Sequence, residues 1–596
     1  MTLSGFRYFF LFILSTQVLL GLYFQSKYPL LLIVTYAIAT IVSLLLLKQI
    51  HKPSVPVVIF VIFAVGVSML MPGFFSKMPA VSFSSSFYVL AGAAALLWMK
   101  SEFSILLFWA LVFYCLSDTF FAFYQMLHLG NTRSGGLFMD ANARAIYVLI
   151  TMLFVFWRLS DVNRSKKVKP VILWVLLLVL MVGFHSAQSR AMLALGGLSL
   201  IGLLLYALFR SPQLRKSVLG ITIAAVAGFF IFYVLFQFVP SDGLAFLNKP
   251  DGPDVRFEIW STSWQLIKEH PIVGHGFGLF KYLYPSVRTE MGTAGHFVHN
   301  DFLEHWLASG IPGLILTLIP VVFFSYQFLK SFAKAQYQQT LFAGMGLSLM
   351  GFAFFNYFFW RLENLIVLAA VWKMAEDQSD SSTLVNVPFK HKVIAMLIFV
   401  LPVASLIAKV DEEYAIIQGG ESVSKMLSWS DLILGDESQL VPMRARWIYT
   451  QIVNGKPESI DYVKLSILID QLDSEIARGT VLPLFYCSRA ELGLILNESY
   501  EETITYISSA EKLEPTNIYC AFVRFNTNII HEKSELALEQ IYAFLRQKLP
   551  GPKIKGIIGV NQFALEFAIE QESDYYISFF SQYGEYLKTR RVELGM

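Results

Sequence analysis

Residues 190–238 read RAMLALGGLSLIGLLLYALF, then RSPQLRK, then SVLGITIAAVAGFFIFYVLFQF: an apolar run over 191–209, a cationic link over 210–216, and a second apolar run over 217–238. Each run is close to the roughly 20 residues an α-helix needs to cross the hydrocarbon core of a bilayer. The link between them carries Arg210, Arg215 and Lys216 and no acidic residue. In lipid a spanning segment has to satisfy its own backbone donors and acceptors, so two such runs in succession predict two helices joined by a basic turn.

The same pattern continues in both directions. Further apolar runs fall at 7–24, 29–47, 54–72, 84–99, 102–126, 141–157, 170–186, 311–329, 338–359, 362–375 and 392–409. With the first two they predict an all-α, polytopic membrane protein of about thirteen transmembrane helices, followed by a soluble helical repeat-like domain. Composition agrees: 56% of the residues are hydrophobic and only 15% charged, and the mean hydropathy is +0.57. A folded globule in water keeps a large polar exterior that so apolar a chain cannot supply. The N-terminal run has no small-x-small cleavage signal after it and is read as a retained first helix. The net charge of +3 argues neither for nor against an acidic partner, and no nucleic-acid partner is expected.

Orientation follows from the loops. KQIHKP at 48–53, the basic run from Arg158, RSPQLRK at 210–216, KSFAK at 330–334 and the stretch ending FKHK at 392 fall on one side of the predicted spans. The positive-inside rule makes that side cytoplasmic. The opposite side receives the segment around Asn131–Asn142, the link HSAQSR at 185–190, a long loop over about 239–310, and everything after Val410. The expected division is thus a transmembrane domain over 1–410 and an outer α-helical domain over 411–596. With only short loops inside, chemistry belongs to the outer face or the membrane.

In the tail, Tyr500, Thr503, Ile507, Ala510 and Pro515 have the spacing of the second half of a tetratricopeptide repeat, where small residues admit close helix packing and Pro ends the unit. Gly493 stands two residues out of place for the first half. Of the three cysteines, Cys115 lies in an apolar run, whereas Cys487 and Cys520 lie in the tail and could pair in an oxidising compartment or stay as buried thiols. No CxxC or other metal-ligand spacing is present, and no metal or cofactor is expected.

The outer segments hold polar residues in a set order: Gly135–Asn142 before a helix, Ser189–Arg190 opening a helix, Arg256–Trp260, the turn Pro271–Gly278, and His299–Gly313. In this order and on this side they resemble the O-antigen ligase superfamily, which includes O-antigen ligases, Wzy-type polymerases and pilin O-oligosaccharyltransferases. The resemblance covers roughly residues 130–375. It departs at Asp140, where many members carry Asn or Pro, and over the first ninety residues, which match only as generic spans.

The resemblance implies transfer of a glycan from an undecaprenyl-pyrophosphate carrier to an acceptor at the periplasmic face of the bacterial inner membrane. A diphosphate leaving group calls for cations, and the always-charged, bidentate guanidinium suits it. Arg190 and Arg256 are the first candidates, with Arg144 and Arg288 as auxiliaries and Asn142 and Asn300 in support. His299 occupies the family position for a general base, with His296 and His305 as neighbours that could be confused with it. Two features stay open. The GHGFG turn at 274–278 is either a phosphate cradle of backbone amides or a tight turn. Trp260, Trp264 and Trp306 are read as seating the loop at the headgroups rather than stacking on sugar. The acceptor is lipid A–core or a pilin-like protein for a ligase or oligosaccharyltransferase, and a second lipid-linked unit for a polymerase. A flippase would need polar residues along its spans and related halves, neither of which is evident. A non-catalytic membrane scaffold would leave the ordered motifs without a role.

Overall fold

The computed structural model describes residues 76–82, 85–86, 101–129, 140–160, 169–239, 255–287, 297–359, 362–376, 440–453, 462–546, 554–571 and 573–593. The expected spans at 7–24, 29–47, 54–72 and 392–409, and all but two residues of 84–99, lie outside these residues. Every regular element among the described residues is helical. The apolar helices are α1 (Ser101–Leu129), α2 (Ala141–Ser160), α3 (Pro170–Ser186), α4 (Arg190–Phe209) and α5 (Arg215–Phe236). After the loop helices α6 (Val255–Glu269) and α7 (Phe280–Val287) come α8 (Asp301–Ala333), α9 (Tyr337–Phe355) and α10 (Leu362–Ala375).

Five of these, α1, α2, α4, α5 with its preceding 3₁₀ turn, and α8, are long and apolar enough to cross a membrane. The chain is a multi-pass membrane protein. The helices α3 and α10 are apolar but shorter. Side-chain exposure separates the roles. The α2 helix is buried along almost its whole length, from Ala143 to Leu159, and is the hub of the bundle. By contrast, α4 and α5 present Leu198, Phe209, Phe230 and Val234 outward. A continuous apolar outer face of that kind is stable against acyl chains and not against water.

Between helices the packing is aromatic. Phe108 of α1 stacks on Phe154 of α2 with centroids 4.9 Å apart, and Trp157 meets Phe342 of α9 edge to face at 5.3 Å. Polar side chains also pair between the helices. Ser199 of α4 and Ser348 of α9 lie 3.1 Å apart within hydrogen-bond distance, and Thr340 donates to Ser331 at 2.9 Å. Such pairs avoid leaving a hydroxyl unsatisfied in hydrocarbon.

The tail is built of short helices: α11 (Leu440–Val453), α12 (Tyr462–Ala477), α13 (Pro483–Ile495), α14 (Tyr500–Leu513), α15 (Ile518–Ile530), α16 (Ser534–Leu545), α17 (Ile554–Glu570) and α18 (Asp574–Glu593). The turns between α13, α14, α15 and α16 are only a few residues long, so successive helices double back on each other. Thr503, Ile507 and Ala510 line the buried face of α14, and Ser499 caps it in a capping box with Glu502. Arg524 of α15 grips Glu511 of α14 through two hydrogen bonds of 2.6 Å. Cys487 and Cys520 are joined as a disulfide between α13 and α15, with Cα atoms 5.4 Å apart.

The tail does not stand apart from the loop helices. A single hydrophobic cluster contains Ile259 and Leu266 of α6, Phe280 and Tyr284 of α7, and Val298 and Leu307, together with Val441, Leu472 and Phe485 of the tail. The α7 helix also lies against α14. The first tail helices thus complete the core over which residues 297–307 are laid.

One buried group in the tail is sensitive to pH. Glu491 of α13 accepts a hydrogen bond from the Tyr519 hydroxyl, and burial pushes its carboxyl up from 4.5 to about 7. A carboxyl with a raised folded-state value contributes its stability below 4.5 and loses it as the pH rises through about 7. The tail is therefore expected to be less resistant to urea at pH 8 than at pH 5, read by limited proteolysis of the full-length protein. Glu491→Gln should remove that dependence and add up to about 3 kcal/mol at pH 8, the equivalent of that change in the carboxyl.

Candidate functional site

The loops that connect α2, α4, α8 and α9 at one end of the bundle carry a connected polar mesh. Asp140 caps α2, its Oδ1 accepting from the backbone N–H of Asn142 and Ala143 at 2.7 Å each. An acidic side chain suits this place because the first turn of a helix presents unpaired N–H groups and the positive end of its dipole. Ser189 caps α4, accepting from Met192 N, and its hydroxyl donates to Asn142 Oδ1 at 2.6 Å. Asn142 Nδ2 donates in turn to Asn356 Oδ1, at the end of α9, at 3.4 Å. Asn142 is the tie between three helix ends.

The next residue, Tyr357, stacks on Phe297 with centroids 4.4 Å apart and planes 18° from parallel, and its ring meets that of His299 at 5.5 Å. Its hydroxyl donates to Asp140 Oδ2 at 3.3 Å. The mesh therefore closes on itself from Asp140 through Asn142 and Asn356 back to Tyr357. Beneath it, Asp301 at the start of α8 accepts through Oδ2 from Phe358 N at 2.6 Å and Phe359 N at 2.9 Å.

His299 sits in the left-handed region with φ of +56°. Its backbone neighbours are held on both sides. Val298 N donates to Glu304 Oε2 at 2.6 Å, and Val298 O accepts from Trp260 Nε1 of α6 at 3.0 Å. Asn300 caps α8, its Oδ1 accepting from Phe302 N and Leu303 N. A non-glycine residue stays in that conformation only where its surroundings over-determine it, and such residues gather at functional sites.

The long helix α8 changes direction at Gly310, with φ of +64° and ψ of −151°. The turn Pro271–Gly278 fills that break. His275 N donates to Leu307 O and Gly276 N to Ala308 O, both at 2.8 Å, while Phe277 N donates to Ser82 Oγ at 3.0 Å and Gly274 N to His270 O at 2.9 Å. A Cβ on Gly274 would lie 2.5 Å from the Ala308 carbonyl. Four successive amides of the GHGFG turn are thus spent on the protein itself. The turn is a wedge that supports the α8 kink, and a phosphate would find these donors occupied.

The sequence-predicted residues fall into groups. Asn142, Asn300 and His299 belong to the mesh. Arg190 follows Ser189 as the first residue of α4 and is exposed at the same end of the bundle. Arg256 is half-buried at the start of α6, one turn before the Trp260 that holds Val298. Arg144, expected as an auxiliary cation, is placed differently from Arg190 and Arg256. Its side chain is fully buried and its Nε donates to Asp118 Oδ2 of α1 at 2.5 Å, an ion pair that ties α1 to α2. Arg288 and His296 lie outside the described residues. His305 is separated from His299 by its surroundings: it is buried, its Nδ1 lies 2.8 Å from Thr317 Oγ1, and its ring packs between Phe277 and Phe359. His275 is likewise structural, at 2.8 Å from Leu266 O, and burial pushes its imidazole down. Of the tryptophans, Trp260 and Trp306 spend their indole N–H groups on Val298 O and Pro271 O. Among the described residues no three His, Cys, Asp or Glu side chains converge on a common point that could hold a metal ion.

Sequence reasoning passed over Asp118, Asp301, Asn356 and Tyr357. Asp301 directly follows the quoted His299–Asn300 pair, and Asn356–Tyr357 interrupt an aromatic run that reads as one span over 338–359. An Asn inside a run of Phe was the available signal, since an uncompensated amide is costly in lipid.

Residues 174–318 match the family described as O-antigen ligase. An 89-residue stretch is 29% identical to an uncharacterised protein of Haemophilus influenzae (strain ATCC 51907 / DSM 11121 / KW20 / Rd), covering 14% of this chain and 22% of that protein. The matched stretch thus spans about a fifth of that relative's length. Over residues 174–318, which carry Arg190, Arg256 and His299, this chain is similar to the O-antigen ligases.

Proposed function

We propose that the protein transfers a glycan from an undecaprenyl-pyrophosphate-linked donor to an acceptor hydroxyl or amide at the periplasmic face of the inner membrane, as an O-antigen ligase or O-oligosaccharyltransferase. The observation that carries this reading is the convergence of Asn142, Ser189–Arg190 and His299–Asn300, three separate segments of chain, at one end of an apolar bundle. In the reaction the acceptor's hydroxyl oxygen or amide nitrogen attacks the anomeric carbon and its proton passes to the His299 imidazole. The bond from that carbon to the phosphate oxygen breaks, and undecaprenyl diphosphate departs with the electron pair. Arg190 and Arg256 hold the diphosphate and stabilise its growing charge, with Arg288 as an auxiliary. Arg144, engaged by Asp118, contributes through the placement of α2. No metal or organic cofactor enters this scheme.

The Cys487–Cys520 disulfide supports an oxidising, periplasmic location for the tail. The paired, tetratricopeptide-like helices α11 to α18 support engagement of a bulky acceptor, lipid A–core or a pilin-like protein; in this reading 411–596 is the outer domain and 1–410 the transmembrane part, oriented with its long loop outward.

The test is transfer in proteoliposomes from a synthetic lipid-diphosphate glycan, with lipid A–core, a pilin and a second lipid-linked unit offered in parallel. The acceptor that becomes extended names the class, and extension of the lipid-linked unit alone identifies a polymerase. Arg190→Ala is expected to lower transfer about 10²-fold or more, the range for losing one preorganised donor to a developing oxyanion. Absence of transfer to all three acceptors would overturn the reading.

A further inference from the structure

The mesh around His299 fixes its backbone on both sides. Val298 is held through both its N–H and its carbonyl, and Asn300 caps α8. The His299 ring packs edge to face against Tyr357, at 5.5 Å between centroids and 63° between planes. Tyr357 is itself secured in three ways. Its ring lies flat on Phe297, two residues before His299. Its hydroxyl donates to Asp140 Oδ2. The two residues after it hang by their amides from Asp301, two residues after His299. Both partners are thus referred to the same helix end, so the angle between the rings is set by a short, rigid path.

We infer that Tyr357 is a positioning residue for His299: its ring is the wall that keeps the imidazole turned toward the acceptor, and Asp140 keeps that wall in place. The inference rests on the transferase reading above. The physical reason is that an imidazole has two soft torsions, and an edge-to-face contact beside a fixed backbone restricts both. Proton transfer demands a placement within hydrogen-bond reach of the acceptor oxygen, so a ring free to turn lowers kcat while leaving the binding of donor and acceptor unchanged. The aromatic face does the orienting, and the hydroxyl serves only the link to Asp140.

The experiment is a double-mutant cycle in proteoliposomes with the wild type, Tyr357→Leu, Tyr357→Phe, His299→Ala and the Tyr357→Leu/His299→Ala pair. Tyr357→Leu is expected to lower kcat about 10- to 100-fold with both KM values within about twofold, the cost of a misplaced catalytic group. Tyr357→Phe, which keeps the ring, should stay within about threefold of wild type. In the His299→Ala background the Leu substitution should cost nothing further, because a residue that acts through another has no effect once that other is gone. An equal loss in both backgrounds would make Tyr357 merely structural and overturn the inference, as would full kcat in Tyr357→Leu. Failure of the wild type to transfer glycan, or full activity of His299→Ala, overturns instead the transferase reading or its general base.

Discussion

His299→Ala is expected to lower glycan transfer by about 10²–10⁴-fold, the usual contribution of a positioned general base. The loss should fall on kcat, because the imidazole takes a proton in the transition state and need not hold either substrate in the ground state. A control has to separate chemistry from backbone strain, since His299 has φ of +56° and alanine tolerates that region poorly. Asparagine enters it readily, through its short polar side chain. His299→Asn should therefore insert and melt like wild type and still lose transfer. Retention of transfer by a well-folded His299→Asn would remove His299 from the mechanism. His305, whose ring is buried between Phe277 and Phe359, cannot replace it without unpacking the start of α8.

Gly310→Ala is expected to prevent assembly of the site altogether. An added Cβ would stand 2.0 Å from Ile272 O, and the residue's φ of +64° is in the region that favours glycine. Neither contact can relax cheaply, because the obstructing atoms are backbone of the turn that fills the kink. The combined cost of strain and displacement is expected to exceed about 3 kcal/mol. Gly274→Ala should fail similarly, since it approaches the same contact from the other side with a Cβ 2.5 Å from the Ala308 carbonyl. Gly197→Ala, in the middle of α4 with nothing within 4 Å of its Cβ, should be neutral or more stable by about 0.5–1 kcal/mol. Melting curves of the detergent-solubilised proteins compare the three. A normal melting temperature in Gly310→Ala would mean that the turn and the kink do not depend on each other.

These two predictions draw on different kinds of information. His299 was chosen on sequence, from its place before Asn300 and the Gly310–Gly313 segment, and the fold adds the reason for choosing it over His305. Gly310 was legible only as part of a motif. Its role needs the backbone of Ile272 beside it, a contact between residues 38 positions apart that no periodicity encodes. The GHGFG turn shows the same limit. Its sequence is compatible with a phosphate cradle and with a wedge, and the partners of its amides choose the wedge.

Arg144 and the tail mark the limit from two further sides. At position 144 a cation two residues after Asn142 reads as an auxiliary of the diphosphate site, yet two positions turn an α-helix by about 200°, and that rotation points Arg144 inward to Asp118. Helical periodicity alone could not supply the partner, which lies 26 positions earlier on another helix. In the tail, the face of Thr503, Ile507 and Ala510 was readable because it repeats at helical spacing. The shared core with α6 and α7 was not, because Phe485, Leu472 and Ile259 are apolar residues like any others until the fold brings them together.

By itself the sequence determined the helical class, the membrane environment and the order of the polar segments, because these depend on composition and on periods of a few residues that the bilayer and the α-helix impose. Only the tertiary structure decided which polar groups meet. Asp301 reaches the amides of Phe358 and Phe359, Asp140 reaches Tyr357, and Asn142 ties Ser189 to Asn356 across separations of 47 to 217 positions. Contacts at that range follow from how whole helices pack, and packing is a property of the assembled bundle rather than of any segment in it.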